Sequence, residues 1–337
     1  MMSISILGAG TWGTALSILL ANKGREVILW SKLENEIKAL EENRGFIKNL
    51  PGAVLPDSVK LTTDAEYACK TSEPELIVFA VASPFVRSTA QLVSGYIRDK
   101  QIIVNVAKGI EESTLDTLLD IIKEEIPQAD AAVLSGPSHA EEVSRLIPTT
   151  VVVAAHSRST AEYLQDAFMT DRFRVYTSND IIGVELGGSL KNVIALAAGM
   201  SDGLGFGDNT KAALMTRGLA EINRLGIAMG AKPETLSGLS GIGDLFVTCT
   251  SHHSRNWNAG NLIGKGRSVE EALKEVNQVV EGVYCAKAAL KLAHKYYVEM
   301  PIVEQVNKIL FENKPVDEAV NELFMREKRP EHNLINW

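Results

Sequence analysis

The chain has 337 residues, ordinary apolar and charged fractions, and a formal net charge of -8, a size that suits two domains with a core each. The acidic balance argues against nucleic-acid or anionic-membrane partners and leaves room only for a local basic pocket. Cys69, Cys249 and Cys285 lie far apart and His252-His253 is an isolated pair, so neither a disulfide framework nor a metal site is expected.

In chain order, a strand is expected at 3–7, which leaves no room for a charged signal-peptide start. No apolar run reaches the roughly 18 residues of a spanning helix, so a cytoplasmic protein without a membrane span is expected. Gly8-Ala9-Gly10-Thr11-Trp12-Gly13 follows the strand at once, then a helical pattern at 14–22 and a second strand at 26–30. Strand, glycine loop, helix and strand in this order form a dinucleotide-binding signature. Gly8 permits the tight turn, Gly10 lets backbone approach a pyrophosphate, and Gly13 allows close helix packing. The phosphates would sit on unpaired amides at the helix N-terminus. Beyond the second strand comes Trp30-Ser31-Lys32, with no carboxylate before Glu34 to take the ribose hydroxyls of NAD. Lys32 can instead meet a 2'-phosphate, which favours NADP(H), with NAD(H) as the alternative.

Further strands are expected at 76–81, 101–106, 131–134, 149–154 and 173–176, alternating with helices. Such alternation implies a mostly parallel sheet whose ligands bind beyond the carboxyl ends of the strands. Ser83, Lys108 and the run 136–140 fall at those ends. After Asn179-Asp180 the pattern is helical to the end. The fold class is therefore α/β: an N-terminal Rossmann-type, mostly parallel sheet in residues 1–180, followed by a C-terminal all-α domain in residues 181–337.

The second half opens on Val-Glu-Leu-Gly-Gly-Ser-Leu-Lys-Asn (184–192) and an apolar helix that should be buried. Lys191 rides on it with no partner at helical spacing, because Glu185 is six residues away. Either its stem crosses Gly187 and Gly188 into a ligand pocket, with the glycines as a vacant floor, or the lysine snorkels to the surface. Two glycine-rich stretches, 199–207 and the Ser-Gly-Leu-Ser-Gly-Ile-Gly-Asp-Leu run inside 236–250, are expected to be loops. Asp244 stands in the second. Ser254-Arg255-Asn256 clusters donors suited to an anion, and Ser268-Val269-Glu270-Glu271 is a capping box that starts a helix at Val269.

The runs 8–13, 106–109, 134–143, 185–192, 205–211, 241–245, 254–256 and 280–282 together resemble the NAD(P)-dependent glycerol-3-phosphate dehydrogenases of the bacterial, soluble type. The resemblance covers nearly the whole chain. It implies reversible reduction of dihydroxyacetone phosphate to sn-glycerol 3-phosphate, the precursor of glycerophospholipids. It implies Lys191 as catalytic lysine and Lys108, Gly136, Ser138, Asp244, Ser254, Arg255 and Asn256 as substrate contacts, with Thr248 beside them. Thr11, Trp12, Lys108, Ala140, Arg255, Val279 and Glu281 are the implied cofactor contacts. Two positions depart from the family pattern: Lys32-Leu33, where Arg or His is usual, and the order of Ala82-Ser83-Pro84. Two other readings stay open: a two-domain dehydrogenase of hydroxy acids, and a non-catalytic NADP sensor. A homodimer is the default oligomer.

Overall fold

The computed structural model describes residues 2–45, 47 and 50–331. Its first half contains β1 (Ser3–Leu7), α1 (Thr11–Asn22), β2 (Glu26–Trp30), α2 (Glu34–Glu42), β3 (Lys60–Thr62), β4 (Leu76–Phe79) and α3 (Val86–Val93). It continues with β5 (Ile102–Asn105), α4 (Leu118–Glu125), β6 (Asp130–Ser135), α5 (Ala140–Val143), β7 (Thr149–Ala154), α6 (Arg158–Phe168) and β8 (Phe173–Ser178). The eight strands form one sheet in the order β3-β2-β1-β4-β5-β6-β7-β8, parallel throughout except for the antiparallel β6–β7 pair. The central strands are apolar at nearly every position because helices cover both faces. Only β3 was not anticipated. It is three residues long, too short to show a periodicity.

From residue 181 every element is helical: α7 (Ile181–Gly203), α8 (Asp208–Ala228), α9 (Pro233–Leu236), α10 (Asp244–Thr250) and α11 (Arg255–Gly264). Then come α12 (Val269–Val276), α13 (Glu281–Lys295), α14 (Pro301–Glu312) and α15 (Val316–Phe324). The capping box at Ser268 forms as expected, with Ser268 and Glu271 each bonding the other's backbone. The final six residues of the anticipated second domain, 332–337, lie outside the described ones.

The axle of the helical half is α7. It packs against α8, α10, α11, α13 and α14, and it also touches β6 and β7 of the sheet. Its 23 residues are long and apolar enough to cross a membrane, yet 83% of its most apolar window is buried by the rest of the chain, as in a core helix. The sequence stopped this helix short at Gly199. The helix continues because Gly199 and Gly203 are contact points, not breakers. A Cβ at Gly199 would stand 2.1 Å from the Trp257 carbonyl oxygen, and one at Gly260 2.1 Å from that of Leu196. Glycines four apart on both α7 and α11 let the two backbones touch. The cost of glycine in a helix, about 1 kcal/mol each, is offset by that close packing.

The second glycine-rich stretch was also misjudged as a loop. Residues Leu239–Gly243 make a π-helical turn that runs directly into α10. A Cβ at Gly187 of α7 would meet the Ser240 carbonyl oxygen at 2.7 Å, so that turn lies against α7 where the side chain is missing. This contact brings Asp244, the first residue of α10, beside Lys191.

Candidate active site

The glycine loop at the end of β1 behaves as its spacing requires. Gly8 has φ +121°, which strains any side chain, and a Cβ there would strike the Val81 amide at 2.6 Å. A Cβ at Gly13 would lie 1.9 Å from the Gly8 carbonyl oxygen. In front of Gly10 there is open space, and α1 begins there with no side-chain cap and no acidic residue in its first turn. Its first amides therefore point into a free anion cradle, flanked by Thr11 and the half-buried Trp12. Trp12 packs on the core below it. At the end of β2, the Ser31 hydroxyl donates to Glu36 at 2.6 Å and accepts from the Leu33 amide at 3.1 Å. Lys32 beside it is exposed and makes no ion pair among the described residues. The groups that would hold a dinucleotide are thus present in a form that fits one.

Across the strand ends lies a charged triad in which Lys191 and Asp244 are buried and Lys108 is half-buried. Lys191 donates from Nζ to Asp244 Oδ1 at 2.6 Å and to Thr248 Oγ1 at 2.5 Å. Lys108 donates to the other carboxylate oxygen, Asp244 Oδ2, at 2.6 Å and to the Gly136 carbonyl at 3.1 Å. Thr248 lies one turn after Asp244 on α10, so its hydroxyl accepts from Lys191 while donating to the Asp244 carbonyl at 2.6 Å. Lys191 is 5% exposed, Asp244 1% and Thr248 3%. The lysine does not snorkel: the partner missing from its own helix is supplied by α10. The anticipated vacant floor is absent. Gly187 lies against the 239–243 turn, and a Cβ on Gly188 would meet Ser135 Oγ at 2.5 Å and the Lys108 stem at 3.6 Å.

Electrostatics follow from burial. Desolvation, opposed by Asp244 and reinforced by Lys108, brings the Lys191 ammonium down to about 8. Burial pushes the Asp244 carboxyl up, but Lys108 and Lys191 outweigh it and hold it below its ordinary range. Burial first, then the nearby Lys191 cation, hold His139 down to about 4, so that imidazole is neutral. The site therefore carries two cations around one anion, with an amine able to take or give a proton near neutrality.

Several of the remaining anticipated residues are tied by contacts to the elements that carry the triad. Gly136 sits at φ +144° with its would-be Cβ 3.0 Å from Val151, and its carbonyl accepts from both Lys108 and Ser138 Oγ at 2.9 Å. Ser254 is the N-cap of α11, accepting from the Trp257 amide at 3.1 Å. The first amides of that helix, at Arg255 and Asn256, have no acceptors within it. Arg255 is exposed and makes no ion pair among the described residues. Asn256 is largely occupied by the protein: it donates to Asn192 Oδ1 at 3.0 Å and accepts the Gly282 amide at 2.8 Å. Glu281, at the start of α13, accepts from the Ser83 amide at 3.2 Å and from the Ser83 hydroxyl, joining the end of β4 to the helical half. Burial raises its carboxyl, against the opposing pull of Ser83 and Arg255. Ala140 opens α5 and Val279 lies in the segment before α13, both half-buried. Asn192 and His139, which carry no motif signal of their own, enter the site beside Lys191 and Ser138.

Two family models match the chain: NAD-dependent glycerol-3-phosphate dehydrogenase N-terminus over residues 3–161 and the corresponding C-terminus over 180–321. A glycerol-3-phosphate dehydrogenase [NAD(P)+] of Agathobacter rectalis is 60% identical over 337 residues, covering 100% of both chains. One from Fusobacterium nucleatum is 55% identical, again across 100% of both. The crystal structure of glycerol-3-phosphate dehydrogenase from Coxiella burnetii superposes with a TM-score of 0.91 at 38% identity, covering 96% of this chain and 99% of that one.

Proposed function

The chain belongs to the NAD-dependent glycerol-3-phosphate dehydrogenase family, and we propose that it interconverts dihydroxyacetone phosphate and sn-glycerol 3-phosphate with Lys191 exchanging the proton at the substrate C2 oxygen. The observation that carries this reading is the Lys191–Asp244–Lys108 triad beside the strand ends, with Lys191 and Asp244 buried. When bound at the glycine loop, the reduced nicotinamide cofactor supplies the hydride.

This chain's residues do the rest. The Lys191 ammonium gives its proton to the ketone oxygen during reduction, and the neutral amine takes it back during oxidation. Asp244 orients Lys191 and balances the two lysine charges. Lys108 adds positive potential where negative charge develops on the oxygen. The free amides of α11, the Ser254 N-cap and the exposed Arg255 guanidinium bind the phosphate, with Arg offering two-point recognition. Gly136, Ser138 and Asn256 complete the substrate wall. On the cofactor side we assign Gly8, Gly10, Thr11, Trp12, Gly13, Lys32, Lys108, Ala140, Arg255, Val279 and Glu281. NADP(H) is favoured over NAD(H), because Lys32 is exposed while the two carboxylates that follow it are engaged, Glu34 by Lys38 and Glu36 by Ser31. The two functional units are residues 1–180 for the dinucleotide and 181–337 for the substrate. We place the enzyme in the cytoplasm as a homodimer, feeding glycerophospholipid synthesis.

Initial rates of NADH and NADPH oxidation in parallel, with dihydroxyacetone phosphate against small 2-keto acids, test the proposal. Rates confined to the phosphorylated ketone are expected. Turnover of keto acids alone would assign a hydroxy-acid dehydrogenase, and cofactor binding without oxidation would assign a sensor.

A further inference from the structure

One face of α7 grips the segment that carries Lys108. Glu185, Gly188 and Ser189 stand at positions i, i+3 and i+4 and therefore share that face. Glu185 Oε1 accepts the buried Leu119 amide at 2.9 Å, reaching the N-terminal turn of α4 in the sheet half. The side-chain cap of that helix, Thr117, serves the Asp120 amide, so Glu185 supplies the acceptor that Leu119 lacks. One turn further along α7, Ser189 Oγ donates to the carbonyl of Gly109 at 3.1 Å, the residue next to Lys108. Between the two grips, the bare Cα of Gly188 faces the Lys108 stem. Lys191 follows on the same helix. A rigid helix thus holds one cation directly and the other through both ends of the segment 109–119.

We propose that Glu185 is a positioning residue which, together with Ser189, sets the placement of Lys108 against Lys191 by holding the Leu119 amide across the interface between the two halves. This role presupposes, with the proposed function, that Lys191 and Lys108 are the working cations. Glu185 is 6% exposed and lines a cleft of about 370 Å³ with Asp120, Lys123, His156, Asp180 and Lys232. Burial, the largest influence, brings its carboxyl up to about 7, so a neutral side chain with the same acceptor oxygen should serve almost as well. Truncation would extend the cleft toward α7 and free the Lys108 segment. The groups facing Lys191 are Asp244 and Cys249 on α10, Lys108 after β5, and His139 before α5. With Lys108 displaced, its repulsion is lost and Asp244 serves Lys191 alone, so the Lys191 ammonium titrates at higher pH.

The test compares full-length Glu185→Ala, Glu185→Gln and Ser189→Ala with the parent, measuring kcat, both KM values and the pH profile of ketone reduction. Parent turnover of dihydroxyacetone phosphate decides the assigned reaction by itself, and the variant-to-parent ratios decide this inference. In Glu185→Ala, kcat should fall about 10-fold to 100-fold, as for a displaced catalytic group. Its cofactor KM should hold within about twofold, and its alkaline rate loss should move to higher pH. Glu185→Gln should stay within about threefold of the parent, and Ser189→Ala should show a smaller loss with a shift of the same sign. A folded Glu185→Ala whose profile does not move up, whatever its kcat, overturns the proposal. So does a Glu185→Gln as impaired as the alanine variant. If Glu185→Ala does not fold, a Ser189→Ala with parental kcat and profile overturns it.

Discussion

Lys191 Nζ meets Asp244 Oδ1 at 2.6 Å across 53 residues of sequence. The carboxylate keeps a buried ammonium charged at neutral pH, and burial keeps it close to losing its proton. Because the Lys191 value lies near 8, ketone reduction, which needs the protonated amine, should decline as pH rises through about 8. Alcohol oxidation, which needs the free amine, should rise over the same interval. Logarithmic kcat profiles in both directions measure this, and profiles flat from pH 7 to 9 count against Lys191. Lys191→Ala should lower kcat by about 100-fold to 10,000-fold while leaving cofactor affinity intact.

Replacing Asp244 by Asn removes the anion between two lysines. The Lys191 ammonium then loses the influence that raises it and keeps the repulsion of Lys108, so its titration moves below 8. The reductive rate of Asp244→Asn should begin to fall at lower pH than that of the parent. Leaving the buried Lys191 and the part-buried Lys108 without a counter-charge should also cost up to about 3–5 kcal/mol, read as a lower midpoint in urea.

Arg255 stands beside two unpaired amides at the start of α11. Arg255→Ala should raise KM for dihydroxyacetone phosphate by roughly tenfold or more, the loss of about 1.5–3 kcal/mol for a charged hydrogen bond. Steady-state kinetics measure it, and an unchanged KM removes Arg255 from phosphate recognition.

Lys32 is an exposed cation just beyond the end of β2, where we propose the ribose 2'-phosphate sits. Lys32→Glu should reverse the favoured cofactor, weakening NADPH far more than NADH in kcat/KM. A ratio that does not respond places the 2'-phosphate elsewhere.

Glu221 of α8 is a buried carboxyl that accepts the Ile302 and Val303 amides at 2.8 and 3.2 Å, capping α14. Burial, against those hydrogen bonds, brings it up to about 7 from an ordinary 4.5. A folded-state value above the unfolded one means a stabilising contribution that is full below about 4.5 and lost as pH climbs through about 7. Glu221→Gln has no such titration. The parent's stability advantage over it should therefore shrink between pH 5 and 8, measured by thermal melts. A constant difference would show that Glu221 stays ionised in the fold.

Local features are legible in the chain alone. Gly8 and Gly10 sit between a strand and a helix and Gly13 in that helix's first turn, and steric and hydrogen-bonding demands over that short span leave little else they can be. Alternating apolar strands specified a mostly parallel sheet, since only helices on both faces explain strands with no polar side. The change to helical periodicity after Asp180 likewise requires no distant information. Contacts between distant segments emerge only in the folded chain. Lys191 had no partner at helical spacing, and Asp244 becomes one only because Gly187 allows the 239–243 turn to lie against α7. The glycines at 187, 199, 203 and 241 read as floors or loops in sequence, where glycine signals flexibility. In the fold they are points where one backbone meets another, because a missing side chain is equally a place for a neighbour to sit.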